Sequence, residues 1–147
     1  MKIFYIIIFV LLSLPNIAQN ASSKFNCDDL KSILEVDEAV KHFHWLKRPT
    51  DSLTIVDTLG FFNCSDIKIL DKPSIIVNSF PNEIKYGVRS SSYLKGRKND
   101  YLVLYKIDKM KKGYLLRFWQ ANDNAQMGII AIKKKKLKLK VQETGVF

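Results

Sequence analysis

The chain has 147 residues, with Lys+Arg 24 against Asp+Glu 14 and a formal net charge of +10. That length suits one domain with one core, and no repeat or Pro/Gly/Ser-rich linker divides it. The basic balance excludes an acidic, solvating chain and directs attention to anionic partners.

The first residues read as an export signal. Met1-Lys2 gives a short positive start, and Ile3 to Leu14 is apolar apart from Ser13. Pro15 ends the run, with Ala18 as the cleavage position and Ala21 as a second candidate. The run is shorter than the roughly 20 apolar residues of a membrane-spanning helix. Residues 1–18 are therefore expected to be a cleaved signal peptide, with 19–147 a single secreted or periplasmic domain. Export makes Cys27 and Cys64 candidates for a disulfide. Closing so long a loop contributes roughly 4 kcal/mol in the chain-entropy model. The alternative is a pair of buried thiols.

Gln19 to Phe25 reads as a disordered lead-in. Asn26 then offers an N-cap, and Asp28 and Asp29 place negative charge in a first helical turn. Leu30, Ile33, Val36, Val40 and Phe43 recur at helical spacing, predicting one amphipathic helix of about five turns from Asn26 to near Leu46. Pro49 and Thr50-Asp51-Ser52 end it.

Short β-like runs follow at Leu53 to Asp57, Asp66 to Leu70 and Ser74 to Asn78. Glu83 to Arg89 reads as a further strand or an extended crossing, and Ser90 to Asp100 as a long polar loop. The central stretch, Tyr101 to Ile132, reads as three antiparallel strands. Lys109-Met110-Lys111-Lys112-Gly113 and Asn122-Asp123-Asn124 supply the turns. Lys133 to Phe147 turns near Lys134-Lys135 and returns as a last strand. In it Leu137, Leu139 and Val141 face inward while Lys136, Lys138 and Lys140 face out. The expected fold class is α+β: an N-terminal amphipathic helix on a curved antiparallel meander of about five to seven strands. Helix followed by meander resembles the layout of cystatin- or NTF2-type domains.

Neither face of the meander is cleanly polar. A curled sheet explains this, and so does a binding face. The residue types that dominate interfaces make Tyr101, Tyr105, Lys106, Arg117, Phe118 and Trp119 the candidate contacts for a protein partner. The second candidate surface is the lysine series Lys133, Lys134, Lys135, Lys136, Lys138 and Lys140. It suits an anionic envelope polymer or membrane surface, or serves only to guard an edge strand. A genomic nucleic-acid target is not expected from an exported chain lacking any nucleic-acid-binding motif. A ligand pocket between helix and sheet, with or without catalysis, is the third reading.

Catalytic signatures are missing. No nucleophile elbow or phosphate-cradling glycine loop occurs, and the paired carboxylates fall on the predicted outer helix surface. His42 and His44, two apart on a helix, point away from each other and do not form a metal pair. No cofactor, metal or enzymatic activity is expected; a non-enzymatic binding module is.

Overall fold

The computed structural model describes residues 25–43, 51–87 and 99–146. The expected signal peptide, Trp45, His44, most of the Ser90 to Asp100 segment and Phe147 lie outside them. The chain is mostly β: a seven-stranded sheet, a separate two-stranded pair and three short helices among the described residues.

Phe25–Asn26 forms β1, so Phe25 belongs to the folded body rather than to a disordered lead-in; its ring is fully buried. Asn26 caps α1 (Cys27–Leu34) through a reciprocal pair. Its side-chain oxygen accepts the Asp29 N–H at 3.0 Å, and the Asp29 carboxylate accepts the Asn26 N–H at 2.9 Å. The single five-turn helix expected from periodicity is instead two helices. α1 ends at Glu35-Val36, and α2 runs Asp37–Phe43 with its own acidic first turn. The break has a packing reason. α1 lies against β1, β3 and β4, whereas α2 lies against β8 and β9, so each helix covers a different part of the sheet.

The strands are β2 (Ser52–Val56), β3 (Phe62–Asn63), β4 (Asp66–Ile69), β5 (Lys72–Val77), β6 (Asn99–Met110), β7 (Gly113–Gln120), β8 (Ala125–Lys133) and β9 (Leu137–Val146). Their order in the large sheet is β4-β5-β2-β6-β7-β8-β9. Strands β6 to β9 form the expected antiparallel meander. The sheet as a whole is mixed, which corrects the all-antiparallel expectation: β2 runs parallel to both of its neighbours, β5 and β6. Short apolar runs announce strands but carry no sign of direction. A parallel link needs a crossover, and part of the one from β5 to β6 is helical. Asn82–Gly87 forms α3, where a strand or extended crossing was expected. Pro81 precedes it, its carbonyl accepting the Ile84 N–H at 3.0 Å, and Glu83 lies in the first turn.

Both sheet faces carry a core. The larger one joins Leu30, Ile33, Leu34, Ala39 and Phe43 of the helices to Leu53, Ile55, Leu102, Leu104, Leu116, Phe118, Met127 and Ile129. The smaller one, on the other face, joins Ile84 of α3 to Val56, Tyr101, Val103 and Ala121, with Trp119 packed against it. Each fully buried side chain of this size contributes about 1.5–3 kcal/mol from removal of apolar surface. A bulge between Leu104 and Lys106 puts Tyr105 out of register, so that Ile107 rejoins the larger core. Simple alternation places Ile107 on the other face; one inserted residue reverses that. In β9, Leu137, Leu139 and Val141 pack on the larger core, with Lys138 and Lys140 exposed, as the alternation predicts.

Cys27 and Cys64 are disulfide-bonded, with Cα atoms 5.1 Å apart. The bond staples the start of α1 to β3, beside the parallel β1–β3 pair of Phe25 with Phe62 and Asn26 with Asn63.

Candidate anion-binding cleft

In an antiparallel meander alternate turns fall at the same end. The β6–β7 turn (Lys111-Lys112) and the β8–β9 turn (Lys134 to Lys136) therefore sit side by side. Between them opens a cleft of about 300 Å³, lined by Phe25, Tyr114, Ile132, Met110, Gly113 and five lysines: Lys109, Lys111, Lys112, Lys133 and Lys134. No acidic residue lines it.

The floor is built by ring packing. Phe25, stacked on Phe61 at 5.0 Å, meets Tyr114 edge-on at 5.8 Å, and Phe61 meets Tyr114 at 5.3 Å. The two hairpins approach closely here because residue 113 is glycine. A Cβ at Gly113 would stand 2.5 Å from the Ala131 carbonyl oxygen and 2.9 Å from Ile132 Cγ1. Met110, at the rim, is 40% exposed.

The five lysines are not equivalent. Lys133 is paired with Asp29, and its ammonium lies 5.7 Å from the centre of the Phe25 ring. The same Asp29 oxygen accepts the Asn26 N–H, so the helix cap and the lysine share one carboxylate. Lys109, Lys111, Lys112 and Lys134 are exposed and make no ion pair among the described residues. Four like charges on and beside two neighbouring turns produce a positive potential that an anion of several charges relieves.

The structure divides the residues singled out from the sequence. Lys133 and Lys134 line the cleft, while Lys135 and Lys136 complete the turn beside it. Lys138 and Lys140 extend along β9, an edge strand, on the face opposite the larger core. The aromatic set is split between faces. Phe118 is fully buried in the larger core and Tyr101 is 7% exposed under α3, so neither offers surface to a partner.

Tyr105, Lys106, Arg117 and Trp119 remain outside the larger core, and their polar groups are engaged within the chain. The Tyr105 hydroxyl donates to Gln126 Oε1 at 2.9 Å, and Trp119 Nε1–H donates to Asn124 Oδ1 at 3.0 Å. Asp108 sits between Lys106 and Arg117 and pairs with both. Desolvation pushes the Asp108 carboxyl upward, but the Arg117 hydrogen bond and the two cations outweigh it and hold the group below its ordinary value.

Lys109, Met110, Lys111, Lys112 and Tyr114 are the cleft residues that motif reading passes over. Their signal lies in connectivity: once β6 to β9 are read as a meander, the first and third turns must share an end. Among the described residues no group of three His, Cys, Asp or Glu side chains is placed to hold a metal, and no helix is long and apolar enough to cross a membrane. No protein-family model, curated protein or solved structure matches the chain.

Proposed function

We propose that the chain is an exported, non-enzymatic binding module that takes a polyanionic ligand at the cleft between the two lysine-bearing turns. The supporting observation is that Lys109, Lys111, Lys112 and Lys134 surround one concave site without an acidic neighbour in its lining. The disulfide supports export, because such bonds persist in oxidising compartments. A protein partner on the face of Tyr105, Lys106, Arg117 and Trp119 is the weaker reading, since Asp108 already pairs with both of those cations.

The test is binding of the mature, oxidised chain to immobilised linear polyphosphate over a salt series. Affinity is expected to fall steeply and linearly in log–log form as counterions compete. The triple variant Lys111→Gln, Lys112→Gln, Lys134→Gln should lose most of it, and Lys138→Gln with Lys140→Gln much less. Salt-independent binding, or a triple variant that binds like the parent, overturns the reading.

A further inference from the structure

We infer that the ligand is the headgroup layer of an anionic lipid bilayer, with the paired turns as the membrane-facing end of the domain. This rests on the polyanion reading of the cleft and names its ligand. The added observation is the apolar component. Met110 is 40% exposed and follows Lys109 and precedes Lys111 and Lys112; Ile132 and Tyr114 also line the cleft. A soluble linear polyanion, which is polar along its length, has no use for an exposed methionine at the rim of its site. A bilayer surface presents both chemistries at once: phosphate groups for the ammonium ions, and an apolar layer beneath them for the thioether.

The side chains suit that boundary. Lysine stems lie along apolar surface while their heads stay with phosphate and water, and a tyrosine ring with its hydroxyl favours the same depth. Near an anionic surface each lysine strengthens attachment by roughly fivefold, so four uncommitted lysines suffice for reversible attachment. The β6–β7 turn is two residues long, Lys111-Lys112, so that Met110 and Gly113 close the ladder directly behind it. The β6–β7 tip can meet a surface with its last strand residues already paired to each other.

The experiment uses the mature, oxidised chain and its Met110→Trp variant, after checking that the two melt at similar temperatures. Co-sedimentation is measured with vesicles of phosphatidylcholine alone and of equimolar phosphatidylcholine and phosphatidylglycerol, with linear polyphosphate as the soluble comparison. The expected result is partition at least tenfold stronger into the anionic vesicles. The Met110→Trp minus parent emission spectrum should also shift to the blue on those vesicles and stay unshifted with polyphosphate. Anionic vesicles bound with no blue shift would leave the tip in water and overturn the inference. Polyphosphate bound while both vesicle types are ignored would overturn it too, leaving the polyanion reading intact. If neither polyphosphate nor vesicles are bound, both fail together.

Discussion

Lys133 and Asp29 form an ion pair across 104 positions of the chain, joining the end of β8 to the first turn of α1. The pair fixes one ammonium over the Phe25 ring while Asp29 also closes the helix cap. Replacing Asp29 by Ala removes both functions. A stability loss of about 1–2 kcal/mol is expected from the cap and the partly shielded pair. Polyanion affinity should not fall in parallel, because a carboxylate that competes for Lys133 has gone. Denaturant melts and polyphosphate binding on the same preparation read the two effects separately.

Gly113→Ala tests the close approach of the two turns. With Ala131 O and Ile132 Cγ1 inside normal contact distance of the new carbon, the hairpins must separate or tilt. Overpacking of this kind costs typically 1–3 kcal/mol. Polyphosphate binding should weaken more than after Gly60→Ala, where φ is also positive (60°) but nothing lies within 4 Å.

Acid stability should depend on Glu35. Its carboxylate accepts the Leu70 N–H at 2.8 Å and pairs with Lys31, which in turn donates to the Lys68 carbonyl. Burial pushes the group upward, yet the Leu70 hydrogen bond and Lys31 prevail and hold it below its ordinary value of 4.5. A carboxyl whose folded value is depressed stabilises the protein above the unfolded value, and that contribution is lost as pH falls through the folded one. Melting temperature should therefore begin to drop near pH 4.5, the unfolded value, and continue downward. Glu35→Gln should lower it at neutral pH and flatten that acid limb. The contact also serves strain, since Leu70 and Asp71 both have positive φ, 49° and 63°, in the β4–β5 turn.

Loss of the Cys27–Cys64 bond, by reduction or by Cys27→Ser with Cys64→Ser, releases a loop of sequence separation 37. The expected cost is roughly 2–5 kcal/mol. Because the bond holds β1 against β3, Phe25 and the cleft floor loosen first. Reduced protein that still melts cooperatively should therefore bind polyphosphate less tightly than oxidised protein at the same temperature.

Period-two alternation was enough to read β6 to β9 and their turns, and it placed Leu137, Leu139 and Val141 inward. It failed at Tyr105, because a bulge is a backbone insertion that no hydropathy pattern announces. Helical spacing located the apolar positions of α1 and α2 but not the break at Glu35-Val36, since both halves keep the same stripe while packing on different strands. Parallel pairing of β2 was illegible for a related reason: Leu53 to Val56 is buried on both faces, so it has no polar face to orient it. Half of the cleft was visible as the lysine run from Lys133. The other half looked like turn chemistry alone, and the Asp29 brace depends on a contact that spans most of the chain.

The parallel placement of β2 between β5 and β6 has a consequence for the order of assembly. The Ser52 hydroxyl reaches Asn99 across 47 positions, whereas the meander pairs strands that adjoin in sequence. Sequence-local hairpins close in microseconds, and distant parallel pairings carry a larger loop-closure cost. During synthesis β2 thus waits unpaired on one side until residues 99–103 arrive. By the same rule the β6–β7 and β8–β9 hairpins pair early, the β2–β6 ladder later, and the Lys133–Asp29 contact, 104 positions apart, closes the cleft last.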